Sequence, residues 1–168
     1  MKIKFITTLI CLFVSILTFG QQLFGHVNSQ DILSAMPEAG TAQLALQAEL
    51  EGLQEQGQIM MQEFEAQQKE FQINQESMND AVRNDKLKSL ENLQERIVLF
   101  EQSAEQSIQM KQAELFEPIL TKIQNAIDQV AKEKGYSYVF DIVGLQGGVV
   151  YKDDTHDITQ LVKSKLNL

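Results

Sequence analysis

Between residues 41 and 82 one set of positions recurs in steps of four and three: Leu46, Leu50, Leu53, Gly57, Met60, Phe64, Gln67, Phe71, Asn74, Met78, Ala81. A period of 3.5 held for about five heptads predicts a coiled-coil helix. Glu and Gln fill the positions between, as a solvated face requires. Gly57, Gln67 and Asn74 fill the seam poorly, and a glycine inside a helix costs roughly 1 kcal/mol relative to alanine. A second run follows at Leu90, Leu93, Ile97, Phe100 and Ala104, then slips in phase and resumes at Phe116, Leu120, Ile123, Ile127 and Val130. Such a slip is a stutter, where a supercoil unwinds locally. Pro118 lacks a backbone donor and predicts a kink near Glu114–Glu117. Gly135 suits the left-handed residue that ends a helix. The interruption "RNDKLKS" at 83–89 contains Asn84-Asp85, a turn signal. Two long helices joined there make an antiparallel hairpin, with arms of roughly 60 Å for about 42 residues. A turn centred near residue 84 makes facing numbers add to about 168, which sets Phe71 near Ile97 and Phe64 near Ala104.

The two ends of the chain change period. "QLFGHV" (22–27) reads as a strand. "SQDILSAM" (29–36) reads as a helical turn or two, ended by Pro37. "YSYVFDI" and "GGVVY" alternate around "VGLQG", which predicts a hairpin with a glycine loop. "DITQLVKSKL" reads as a final helix, with Asp157 as its N-cap and Gln160 completing a capping box. A two-stranded hairpin is marginal alone, and a two-helix hairpin buries one narrow stripe per helix. The expected fold is therefore α+β, mostly α: a long antiparallel helical arm on a small β-rich body that gains stability by oligomerisation. The segments are 21–40 and 135–168 for the body, and 41–134 for the arm with its tip near 83–89.

Residues 1–20 stand apart. Lys2 and Lys4 precede an uncharged apolar run of 14 residues, Ile6–Phe19, and Thr18-Phe19-Gly20 offers small residues for cleavage after Gly20. This is the layout of a secretory signal peptide, and the run is short of the roughly 20 residues that span a membrane. Cys11, the only cysteine, would leave with it, so packing or partners must stabilise the exported chain without disulfides. Loss of Lys2 and Lys4, with no acids, takes the formal charge from −9 to −11. That acidity argues against nucleic acid, which needs a basic face.

The terminal motifs resemble the Skp/OmpH family of periplasmic chaperones. "HVNSQDILSAMPE" (26–38) is similar to the family's entry motif, with Asn28 where Asp is usual. "VAKEKGYSYVFDI" and "GGVVYKDDTHDITQLVKSKLN" are similar to its C-terminal block. The resemblance implies a homotrimer whose β-rich trimerisation body carries three helical arms around a cavity. It also implies the activity: unfolded outer-membrane proteins are held there without ATP, in the periplasm. One departure is charge. Well-known members are basic, whereas residues 38–76 hold eight acids against Lys69. The family's membrane and lipopolysaccharide contacts are therefore not carried over.

Candidate chemistry is sparse. His26 and His156 lie far apart and read as edge or surface residues. "DDTHD" (153–157) lacks the spacing and glycine of a calcium loop. "GLQGG" is followed by no helix or P-loop lysine. Nothing pairs a nucleophile with a base, so no enzyme, metal or cofactor is expected. On the arms, Met61, Ile73, Val98, Leu99, Ile108 and Met110 lie off the seam. They are either an inner surface for clients, a role that suits adaptable methionine, or packing between arms. Arg83, Lys86 and Lys88 against Asp85 make a small positive spot at the expected tip, or a plain solvated loop. The functional expectation is a holding chaperone; the rival is a structural coiled-coil spacer or adaptor with one fixed partner.

Overall fold

The computed structural model describes residues 22–143 and 149–168. The expected leader with Cys11 and the cleavage site after Gly20, and the glycine loop at 144–148, lie outside the described residues. The order is β1 (Leu23–Val27), α1 (Ser29–Ala35), α2 (Pro37–Asn74), α3 (Asp80–Lys134), β2 (Tyr136–Asp141), a 3-10 turn (Asp154–His156) and α4 (Thr159–Lys165). The chain is α+β and mostly α, as expected. It divides into two compact units, one built from residues up to 32 together with 123–168, the other from residues 33–122.

In the first unit the sheet departs from the expected hairpin. β2 pairs in parallel with β1, Phe24 opposite Tyr138 and His26 opposite Phe140. Val149–Tyr151 forms no strand, and Val150 is 96% exposed. β2 takes its ladder from β1 instead, and Ile142 N–H extends it by donating to Val27 O (2.9 Å). On its other edge β1 meets the segment before α4: His26 bridges to Asp157, and Ile158 N–H donates to His26 O (2.9 Å). β1 is thus the middle of the unit, and Val27, Ile32, Ile158 and Val162 are its most fully buried side chains.

Side-chain oxygens fix the entry to α1. Asn28 Oδ1 accepts from Asp31 N–H (3.0 Å), the role of an N-cap residue. Asn28 N–H in turn donates to the buried Thr159 Oγ1 (3.0 Å). Ser29 donates from its N–H and hydroxyl to Asp141, tying α1 to the end of β2. Gly135, at φ 74°, turns the chain out of α3 into β2 in the left-handed region. The capping box expected at Asp157 and Gln160 is not formed. Asp157 Oδ1 accepts from Thr159 N–H (2.8 Å), and Ile158 occupies the cap with no side-chain bond.

In the second unit α2 begins with Pro37, whose missing N–H would have had no helical partner. The helices run antiparallel. Lys86 Nζ lies 3.3 Å from Glu70 Oε1, and Lys122 Nζ lies 2.5 Å from Glu38 Oε1. A Cβ on Gly57 would stand 3.3 Å from the Phe100 ring. Facing numbers therefore add to 156 (70 and 86), 157 (57 and 100) and 160 (38 and 122), not 168. Phe71 with Ile97 and Phe64 with Ala104 are not facing pairs. The expected tip at 83–89 is helical, and the turn is residues 75–79.

The cause is Asn79, whose Oδ1 accepts from Val82 N–H (2.9 Å) and so caps α3. Asn79-Asp80 is the same dipeptide signal as Asn84-Asp85, five residues earlier. The first seam is otherwise half-buried as its spacing implies, from Leu46 through Met78, with Leu50 and Asn74 more exposed. Toward the C-terminal end of α3 the buried line is Ile119, Ile123, Ala126, Val130, while Leu120 is half exposed. Of the expected run Phe116, Leu120, Ile123, Ile127 and Val130, Ile123 and Val130 are buried and Phe116 and Ile127 half-buried, while Leu120 and Ile127 give up the most buried places to their neighbours Ile119 and Ala126. α3 is assigned as helix without a break through Pro118.

Candidate functional site

The helical pair contains an apolar cleft of about 540 Å³. Leu50, Leu53 and Gly57 of α2 line it from one side; Phe100, Ala104 and Ile108 of α3 line it from the other. It exists because small residues stand where large ones would close the seam. Gly57 lets the Phe100 ring lie against the α2 backbone. Ala104, level with Leu53 in the observed register, leaves the next space empty. Gln54, Gln109, Glu101 and Glu105 complete the lining, and the two glutamates are exposed. A second cleft, of about 410 Å³, lies between Met36, Ala42 and Ala45 of α2's start and Leu115, Pro118 and Ile119, with the Glu38–Lys122 ion pair beside it. Lys122 holds the Glu38 carboxyl below its usual range by hydrogen bonding.

The six off-seam residues are spread along this unit rather than gathered. Met61, Ile73, Val98, Leu99 and Met110 are exposed, Ile73 at 70%. Ile108 alone lines the cleft. Leu44, Ile59, Val82 and Leu87 are exposed as well.

The positive spot is largely spent on the backbone. Arg83 donates to Gln75 O (Nε, 3.2 Å) and Met78 O (3.1 Å) and pairs with Asp80 (3.3 Å), satisfying carbonyls left free where α2 ends. Lys86 pairs with Glu70. Lys88 remains exposed.

Two features of the first unit escaped the sequence pattern. Phe24 stacks on Tyr138 (5.7 Å between centroids, 13°) and Phe140 (6.3 Å, 24°), and all three are exposed. The two-residue spacing of Tyr138 and Phe140 signals a shared face, but Phe24 joins them only through the parallel pairing. His26 is buried instead of lying at an edge; its Nε2 has no hydrogen-bond partner and lies 3.6 Å from Asp157 Oδ2. Burial pushes the Asp157 carboxyl up, but hydrogen bonds from Thr159, with His26 and Lys152 near, outweigh it and hold the group below the usual range. His156 stands edge-on to Tyr136 at 6.3 Å. Among the described residues no cluster of three or more His, Cys, Asp or Glu is placed to hold a metal ion, and no helix is long and apolar enough to cross a membrane.

The sequence from residue 23 to 166 matches the family model described as outer membrane protein (OmpH-like). The chain belongs to that family. It is 29% identical over 137 residues to the chaperone protein Skp of Yersinia enterocolitica, with 79% of each chain covered. It is 26% identical over 137 residues to the chaperone protein Skp of Pectobacterium atrosepticum, covering 82% of this chain and 83% of that one. The crystal structure of an OmpH-like outer membrane chaperone from Caulobacter crescentus superposes with a TM-score of 0.72 at 11% identity, over 88% of this chain and 85% of that one. The last of these is a likeness of fold. Together they agree with the resemblance carried by the terminal motifs, and with a chaperone rather than an enzyme.

Proposed function

We propose that this OmpH-like chain is an ATP-independent holding chaperone of the periplasm, that it binds unfolded outer-membrane proteins, and that it works as a homotrimer. Family membership over residues 23–166, with two Skp chaperones among the relatives, is the observation that carries the reading. The helical unit supports it physically. Met61, Ile73, Val98, Leu99 and Met110 lie in water along two helices whose buried seam is thin. Each could gain by contact with an unfolded chain, at most about 1.5–3 kcal/mol for a fully buried side chain. Partial contacts with a mobile client are weaker, so many together hold it and none prevents release when the client folds elsewhere. No nucleotide is needed for that cycle.

The exposed Phe24–Tyr138–Phe140 stack supports assembly, since aromatic faces of this kind are where subunits gain most from contact. Light scattering of the exported chain checks the assembly: three times the subunit mass is expected, and a folded monomer at micromolar concentration contradicts it. The holding activity is tested by diluting several unrelated barrel proteins from denaturant with and without the chain. Suppressed aggregation of each is expected. Suppression of none would leave a spacer or adaptor with one fixed partner.

A further inference from the structure

The cleft between α2 and α3 is an avoidable defect. An unfilled apolar gap in a pair of helices forfeits contacts, and a larger residue at position 104 would close it. Substitutions that fill cavities are among the easiest routes to stability, and a gap left open is common where function needs the space. At about 540 Å³ the cleft lies within the range of ligand pockets. Its floor is Leu50, Leu53, Phe100, Ala104 and Ile108, which would admit a large apolar side chain.

Charge narrows the occupant further. Glu101 and Glu105 lie on successive turns of α3 at the cleft, both exposed, and among the described residues neither has an ion-pair partner. No basic residue lines the cleft. The facing helix, Pro37–Asn74, carries seven acids and Lys69 as its single basic residue. Elsewhere in the unit Arg83 is paired with Asp80, Lys86 with Glu70, Lys111 with Glu114 and Lys122 with Glu38; Lys69, Lys88 and Arg96 form no ion pair among the described residues, and none of them lines the cleft. An apolar slot with unpaired carboxylates beside it favours an apolar side chain with cations next to it in sequence. It disfavours the same side chain among acids. The Phe100 ring adds a face on which a guanidinium can lie.

We infer that the α2–α3 cleft is a docking site for extended segments of unfolded polypeptide in which an aromatic or large aliphatic residue is bracketed by Lys or Arg. This rests on the proposed holding function and gives it a client preference: basic-apolar segments, selected by Glu101 and Glu105 and seated against Leu53, Phe100 and Ala104. Exposed charges act over about a Debye length and are screened by salt, whereas apolar burial is not. The cleft thus supplies affinity and the carboxylates supply selection.

The test uses the full exported chain and two dye-labelled peptides with the same apolar residues, one bracketed by Lys and Arg, the other by Asp and Glu. Fluorescence anisotropy should show the basic peptide binding about tenfold tighter at low salt, with the gap closing as salt rises. Glu101→Gln with Glu105→Gln should abolish the preference. Ala104→Leu should raise the melting temperature and lower the affinity for both peptides about tenfold, a pairing that a purely structural role for the gap would not produce. Equal binding of the two peptides by the wild type, or unchanged binding by the filled variant, overturns the inference. A parallel aggregation assay with an unfolded barrel protein separates the two proposals. Holding of that client with no peptide preference sinks the cleft and leaves the chaperone; peptide selection without holding sinks the chaperone and leaves the cleft.

Discussion

Arg83 shows how a single cation can be taken out of circulation. Its three contacts, to Gln75 O, Met78 O and Asp80, close the turn between α2 and α3. A side chain that is read as surface charge is therefore a cap for carbonyls. Thr159 works in a similar way in the first unit. Its hydroxyl is buried and accepts the Asn28 N–H, 131 positions away in sequence. Thr159→Val keeps the shape but leaves that donor without an acceptor, which costs about 1–3 kcal/mol; a fall in urea midpoint without a change in slope is the expected readout. Asp157 sets the pH behaviour of the same region. Its carboxyl binds a proton less readily folded than unfolded, because Thr159, His26 and Lys152 together outweigh its burial. Its contribution is then complete above the ordinary carboxylate range near about 4. It is lost as pH falls through the lower folded value, since the unfolded chain takes up the proton first. Asp153, held low by the Thr155 N–H, acts in the same direction. Acid titration followed by circular dichroism should show Asp157→Asn less stable than the parent at neutral pH, with the difference shrinking as the solution is acidified.

Hydrophobic period was enough to place two long helices and a strand at each end of the chain, and the Gly135 stop between helix and strand. It was not enough to locate the turn. Met78 and Ala81 continue the heptad across residues 75–79, so the pattern runs on where the chain reverses. Asn79-Asp80 and Asn84-Asp85 are equally good starts for a helix, and only the cap from Asn79 Oδ1 to Val82 N–H separates them. That shift of the turn changed every facing pair, and with it the candidate site. Gly57 was visible as a weak seam residue and Ala104 as a member of the second run, but a gap forms only when the register brings Gly57 against Phe100 and Ala104 level with Leu53. Strand pairing was hidden for another reason: a parallel partner more than 100 residues away leaves no local signal. The register is directly testable in a chain that would keep no native cysteine after export. Glu70→Cys with Lys86→Cys should link rapidly with a short bismaleimide, and Phe71→Cys with Ile97→Cys should not. The reverse result would restore the turn to residue 84.

At the scale of the molecule, the two kinds of structure carry different tasks. The unit formed by the chain ends is organised around β1, with the β2 ladder on one side, the single His26–Asp157 bridge on the other, and the most fully buried large side chains among the described residues. The helical unit buries little more than one stripe per helix and leaves many apolar residues in water. Poor packing would be a defect in a protein whose task ended at its own stability. Under the proposed holding function it would be the working surface, because the apolar area withheld from the core is then the area offered to a client. Loosely filled helices also let that surface adapt to unrelated sequences, so selectivity should arise from charge near the apolar sites rather than from shape. The measurement that bears most directly on this account is light scattering during dilution of an unfolded outer-membrane barrel protein into buffer without nucleotide, with the exported chain at a threefold molar ratio to form one trimer per client. The account predicts that scattering stays near baseline, and that Ser at Met61, Ile73, Val98, Leu99, Ile108 and Met110 together restores much of it while the assembly keeps its mass. Aggregation at the same rate with and without the chain would contradict it.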